Sequence, residues 1–240
     1  MEVRRVVRLT PLMARVTFAG SELRGLEIDA PAASVRLLLP SGGAGDLVIP
    51  EWNGNEFLHA DGSRPIIRTF TPRRMDVEAL ELDLHIVLHE GGAVSDWVVA
   101  ATPGDPAAVS GPGRGYTIDS DAPAYLLAGD QTAIPAIAQL IEALPAATTV
   151  RAIIEIVHRD AVHDLPDHPR LTVDWVELPP GAAPGDALVP AIEGTTPDPG
   201  ARVWAAGEAA AMHRLRRHLF EECGLERRLA TVRGYWKHGR

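Results

Sequence analysis

The segment Arg68-Thr69-Phe70-Thr71-Pro72-Arg73-Arg74 sets guanidinium groups at both ends of a short run that also holds an aromatic ring and two hydroxyls. As one extended strand it offers a ring face for a planar ligand, cations for a phosphate and a hydrogen-bond donor. Alternation puts Arg68 and Phe70 on one face and Thr69 and Thr71 on the other. The same residues also read as an exposed edge strand with a buried phenylalanine. A second cluster, His89-Glu90-Gly91-Gly92-Ala93-Val94-Ser95-Asp96-Trp97, runs two glycines directly into a helix. Backbone N–H groups at a helix N-terminus attract anions, and glycine permits a close approach. A plain strand-to-helix turn capped by Ser95 is the competing reading. Two more turns end strands: Ala128-Gly129-Asp130-Gln131-Thr132-Ala133-Ile134-Pro135 and Ala205-Ala206-Gly207-Glu208-Ala209. Each has one glycine, so neither is a GxGxxG fingerprint. Both nevertheless fall at the carboxyl end of a strand, where parallel sheets bind ligands, and a helix N-cap with proline in the first turn is compatible with that role.

Other chemistry is poorly supported. His158, His163 and His168, spaced five apart among aspartates, invite a metal. That spacing fits neither one helical face nor an HExxH pattern, and Pro166 and Pro169 interrupt it, so the segment reads as a loop. No metal site is expected. No GxSxG occurs, and Cys223, the single cysteine, sits in a Glu-Glu-Cys-Gly context that suits neither a nucleophile nor a disulfide.

The elements that must position these motifs change character midway. Val3–Leu9, Ala14–Ala19, Val35–Leu39, Pro65–Thr71 and Leu80–Leu88 are strand-like and separated by turn residues, with one helix at Ser95–Ala101. That pattern predicts an antiparallel barrel or sandwich. Beyond a turn-rich stretch at Gly115–Pro123, strands (Ala124–Gly129, Val150–Val157, Leu171–Val176, Arg202–Gly207) alternate with helices (Thr132–Leu144, Ala187–Ile192, Glu208–Glu222). Alternation predicts a doubly wound parallel sheet. The expected domains are therefore residues 1–118 and 119–240. Of the 240 residues 46% are hydrophobic and 23% charged, as in a chain that buries a core. The net charge of −9 argues against a nucleic-acid partner. No apolar run reaches the about 18 residues of a membrane span, and no signal-peptide pattern opens the sequence. A cytoplasmic monomer is expected.

Taken in order, these motifs resemble the siderophore-interacting protein family, FAD-containing ferric-siderophore reductases of the ferredoxin-reductase superfamily. Thr10 through Thr17 is similar to the family's opening strand pair, and Arg68-Thr69-Phe70-Thr71 to its flavin signature, in which tyrosine usually stands where Phe70 does. His89–Trp97 matches its phosphate-binding turn, Gly111-Pro112-Gly113 the end of its barrel, and Gly129–Pro135 its Asp-Glu-Thr-Ala-Leu-Pro segment. Trp204-Ala205-Ala206-Gly207-Glu208 and Gly234 through Arg240 complete the match. Ala93 replaces a common proline.

The resemblance implies a Greek-key flavin barrel followed by a nucleotide-binding domain, with FAD between them and electrons passing from NADPH or NADH through FAD to a ferric siderophore. It implies that Arg68 contacts the FAD phosphates, Phe70 packs on the isoalloxazine and Thr71 bonds the flavin. His89, Gly92, Ala93, Val94 and Ser95 would line the adenine-diphosphate side. Asp130, Thr132, Gly207 and Glu208 would face the nicotinamide nucleotide, with Trp236 near the flavin. Phe70 lacks the tyrosine hydroxyl, a loss of about 0.5–1.5 kcal/mol where that hydroxyl has a partner. Arg159, after the second strand of the α/β half, tilts the nucleotide preference to NADPH, against the nearby Asp160 and Asp164. An acidic chain needs a local basic patch to receive an anionic chelate, and Arg114, Arg233, Lys237 (the only lysine) and Arg240 are the expected substrate contacts. A solvated basic tail is the competing reading of that last segment. Reduction of another small acceptor, such as a quinone or free flavin, and non-catalytic binding of a ferric chelate are alternative functions.

Overall fold

Val16 and Phe18 stand two residues apart, as side chains on one face of a strand must. In the computed structural model, which describes residues 1–41, 47–195 and 198–239, both are fully buried in β2, Met13–Ala19. The chain divides into two compact units, Met1–Tyr116 and Thr117–Arg240.

In the first unit β1 (Glu2–Thr10) forms a hairpin with β2. β3 is Val35–Leu39, and β4 (Glu51–Trp52) and β5 (Phe57–Leu58) make a two-residue ladder. β6 (Ile66–Phe70), β7 (Pro72–Asp76), β8 (Glu81–Val87) and β9 (Ala108–Ser110) complete the set. Two antiparallel sheets result, ordered β1-β2-β8-β7 and β6-β3-β9. Two connections close them into a barrel. Thr71 carries the chain from β6 directly into β7. Val3 N donates to Asp105 O (2.9 Å) and Ala107 N to Met1 O (3.0 Å), tying β1 to the segment that enters β9. The barrel core unites Val16, Phe18, Leu37 and Leu84 with Val94 and Trp97 of α1, Ala93–Ala100. Phe18 and Trp97 stack with centroids 6.3 Å apart, which fixes the seat of α1.

Two local expectations are corrected here. The arginine-flanked segment is not one strand: buried Thr71 is a corner, with Arg68 in one sheet and Arg73 and Arg74 in the other. Proline at residue 72 removes the donor that a continuing ladder needs, so the chain turns there. Ser95 is not the helix cap either. The N-cap is Gly92, and Ser95 lies buried inside the first turn.

The second unit carries one parallel sheet ordered β12-β11-β10-β13-β14. Its strands are β10 (Ala124–Asp130), β11 (Thr149–Ile156), β12 (Leu171–Glu177), β13 (Arg202–Glu208) and β14 (Ala230–Trp236). The three central strands are nearly continuous apolar runs, as strands covered on both faces must be. α2 (Ile134–Ala143) crosses from β10 to β11, whereas α3 (Leu188–Glu193) crosses back from β12 to β13 and α4 (Ala209–Arg217) continues to β14. Right-handed crossovers in opposite directions put α2 on one face and α3 with α4 on the other. Leu126, Ile153 and Val203 pack with Leu188, Met212 and Leu215 on the latter face. The chain order reverses between β10 and β13, which makes their carboxyl ends the switch point.

β14 is the element that the sequence conceals. Ala230-Thr231-Val232-Arg233-Gly234-Tyr235-Trp236 reads as a basic tail, yet it pairs in parallel with β13 from Ala230 to Trp236. Ala230 and Val232 join the core beneath α4 and Tyr235 meets buried Trp204 edge-on, so an edge strand with few apolar residues shows a weak apolar signal.

Candidate functional site

In the first unit the motif residues converge on the start of α1. No side chain caps this helix, so the amides of Ala93, Val94 and Ser95, which precede the first intrahelical bond (Asp96 N to Gly92 O, 2.8 Å), lack a carboxylate of their own. Gly91 has φ +70°, a conformation that glycine adopts freely, with open space where a Cβ would stand. A Cβ on Gly92 would lie 2.5 Å from the His89 ring, so the ring rests across that glycine. Ser95 Oγ accepts from His89 N (3.1 Å) and pins the turn. β6 packs beside α1. Arg68 is exposed, with Nη1 donating to Ile67 O at 2.8 Å, and among the described residues no carboxylate pairs with it. Phe70 is half-buried against the barrel core. Arg114, also in this unit, is exposed.

At the switch point of the second unit both turn motifs meet. Asp130 Oδ1 accepts from Thr132 N (2.9 Å) and Thr132 Oγ1 (2.5 Å); Oδ2 accepts from Glu208 N (2.9 Å) and Trp236 Nε1 (2.8 Å). Burial pushes the Asp130 carboxyl above its ordinary value, against the pull of these donors. Gly207 is required beside it, since a Cβ there would stand 2.6 Å from Asp130 Oδ2. Glu208, 4% exposed, caps α4: Oε2 accepts from Ala210 N (2.6 Å) and Ala211 N (2.9 Å), and Oε1 from His238 N (3.2 Å). Burial would raise this carboxyl, but the three amides hold it below the usual carboxylate range. The cap therefore contributes fully above the unfolded value and is lost as pH falls through the folded one. Glu208→Ala is expected to cost about 1 kcal/mol near neutral pH and progressively less in acid, read from urea melts across pH.

The C-terminal basic segment, for which a solvated tail is the competing reading, is anchored. Trp236 is tied to Asp130 and His238 to Glu208, which leaves exposed Lys237 between two fixed neighbours. Arg233 is half-buried on β14; Arg240 lies outside the described residues. Arg159 follows β11 and pairs with Glu177 at 3.2 Å. The histidines near it serve locally: His158 Nδ1 accepts from Asp160 N and His168 Nε2 contacts Pro145 O. Among the described residues no three His, Cys, Asp or Glu are grouped to hold a metal.

The packing of the switch point makes Gly129 intolerant of substitution. A Cβ there would meet Ala206 O at 2.4 Å and Ala133 Cβ at 2.5 Å, and a backbone carbonyl in a central strand has little room to yield. Gly129→Ala is expected to cost about 2–3 kcal/mol by overpacking, measured as a lower urea midpoint. An unchanged midpoint would contradict this packing.

In the chain the barrel is followed by a parallel sheet ordered 3-2-1-4-5. A ferredoxin reductase in carbazole 1,9a-dioxygenase has this fold: TM-score 0.72 at 15% identity, covering 98% of this chain and 66% of that one. Residues 2–116 match the siderophore-interacting FAD-binding domain and residues 122–239 the siderophore-interacting protein model. A siderophore utilization protein from T. fusca is 35% identical, with TM-score 0.83, over 100% of this chain and 92% of that one. The ferric vibriobactin reductase ViuB of Vibrio cholerae is 27% identical over 232 residues, 95% of this chain and 85% of its own length. The chain belongs to the siderophore-interacting protein family.

Proposed function

We propose that this protein is an FAD-dependent ferric-siderophore reductase that draws electrons from NAD(P)H and releases iron as the ferrous ion. The observation that carries the reading is the start of α1, a helix N-terminus without a carboxylate cap beside an exposed arginine on β6, inside a domain matched to a flavin-binding family. The donor set suits FAD: three backbone amides and a guanidinium for its diphosphate, a partly exposed Phe70 for its ring system, and Thr71 for a polar edge. FAD, when bound, supplies the step from two-electron donors to one-electron acceptors. The chain's own residues need only bind and orient. A one-electron change lowers the charge on iron and loosens its hold on oxygen ligands, so no general base is required.

Asp130, Thr132, Gly207, Glu208 and Trp236 shape the edge that a pyridine nucleotide approaches, and Arg159 favours NADPH. Arg114, Arg233, Lys237 and Arg240 supply positive charge for an anionic chelate on a protein whose net charge is −9. The same reading makes the protein a cytoplasmic monomer without a nucleic-acid partner. Among the described residues no helix is long and apolar enough to cross a membrane.

The test is spectroscopic. FAD added to the protein is expected to give a bound-flavin spectrum, which bleaches with NADPH or NADH under anaerobic conditions and returns when a ferric chelate is added. kcat/KM is expected to be higher with NADPH. A bound flavin that neither nucleotide bleaches would overturn the choice of donor, and absence of flavin binding would overturn the reading as a whole.

A further inference from the structure

The two units treat anions at their helix N-termini in opposite ways. α1 begins without a side-chain cap. In the second unit a carboxylate from β11 or β13 already sits on the first amides of α3 and α4, and another holds the turn that leads into α2. Asp130, ending β10, caps the turn Gln131–Ala133 that leads into α2. Glu155 of β11 accepts from Gly185 N (2.8 Å), Ala187 N (3.0 Å) and Leu188 N (2.9 Å) at the start of α3. Glu208, ending β13, takes the first amides of α4. These are the groups with which a doubly wound sheet ordinarily receives the diphosphate of a dinucleotide. At the switch point, moreover, Trp236 and His238 are bonded onto those same two carboxylates. A diphosphate at that point would have to displace Glu208 from its amides or lie against its charge and against the Asp130 oxygens, whose donors are already taken. Like charges brought this close in a partly buried edge repel strongly.

We infer that Asp130 and Glu208 exclude a dinucleotide's diphosphate from the switch point of this sheet. The inference rests on the proposed use of NAD(P)H and deepens it: these residues face the nucleotide as a barrier to its charged centre rather than as its cradle. The donor is then held weakly, and its affinity is limited by the protein's own carboxylates.

The test is a titration calorimetry series on the intact chain, with NADP⁺ and, separately, inorganic pyrophosphate, comparing the parent with Glu208→Ser and Glu208→Asp. Serine caps a helix without charge, whereas aspartate keeps both cap and charge. Glu208→Ser is expected to bind both ligands about tenfold tighter or better, with the gain shrinking as salt screens the parent's repulsion. Glu208→Asp is expected to remain as weak as the parent. Should the serine variant fail to fold, Glu208→Asn provides a second neutral cap. Tight NADP⁺ binding by the parent that the neutral caps abolish, or neutral caps that bind no tighter than the parent, would overturn the inference. A failure of the reductase reading shows elsewhere, as a ferric chelate left unreduced by chemically reduced flavoprotein, and the calorimetry does not depend on that outcome.

Discussion

Arg68→Ala is expected to bind FAD at least about tenfold more weakly than the parent, with its fold unchanged. A hydrogen bond from a charged group contributes about 1.5–3 kcal/mol, and tenfold in affinity corresponds to about 1.4 kcal/mol. The fold should survive because Arg68 is exposed on β6 and its guanidinium bonds only to the neighbouring Ile67 carbonyl among the described residues. Surface changes of that kind stay within about 0.5 kcal/mol. Arg68→Lys restores the charge but not the two-pronged geometry, so it should recover part of the loss. Flavin fluorescence titration measures all three proteins. Equal affinity in Arg68→Ala would remove Arg68 from the flavin site and leave the α1 amides alone there.

Asp130→Ala is expected to destabilise the second unit by about 3–5 kcal/mol, because it strips several neutral donors of their acceptor at once. The side chain has no slack: its two oxygens satisfy Thr132 twice, the Glu208 amide and the Trp236 indole. Alanine leaves these donors unpaired in a region that burial has already made unfavourable to charge, at about 1–3 kcal/mol for each one that water does not reach. It also severs the tie among β10, β13 and β14. A loss of that size is a large share of the about 5–15 kcal/mol that stabilises an ordinary domain. Urea melts give the value directly, and a loss below about 1 kcal/mol would show that the network is solvated rather than structural.

The sequence disclosed the parts of this molecule whose signals are local. Alternating strands in the first half and buried apolar runs in the second declared the two architectures, and the glycine turns marked the start of α1 and the carboxyl edge of the sheet. What it hid depended on partners distant along the chain. Thr71 turns a corner because Pro72 ends one ladder, yet the arginines on either side read as one strand. β14 is held by pairing with β13 and none of its residues is fully buried, so its arginine and glycine looked like a tail. Ser95 looked like a cap by spacing alone; its hydroxyl instead takes the His89 amide, and Gly92 opens the helix. The acids at the strand ends were visible as acids. That Glu155 would reach amides thirty and more residues later in sequence was not.

The central claim, that bound flavin hands electrons to a ferric chelate, is tested most directly by a single-turnover experiment. The FAD-loaded protein is reduced anaerobically, freed of excess reductant and mixed with a ferric siderophore and a ferrous-specific chromogenic chelator. The account predicts reoxidation of the flavin together with about two ferrous ions captured per flavin, since a fully reduced flavin carries two electrons. A flavin that stays reduced while the chelate stays ferric would contradict it.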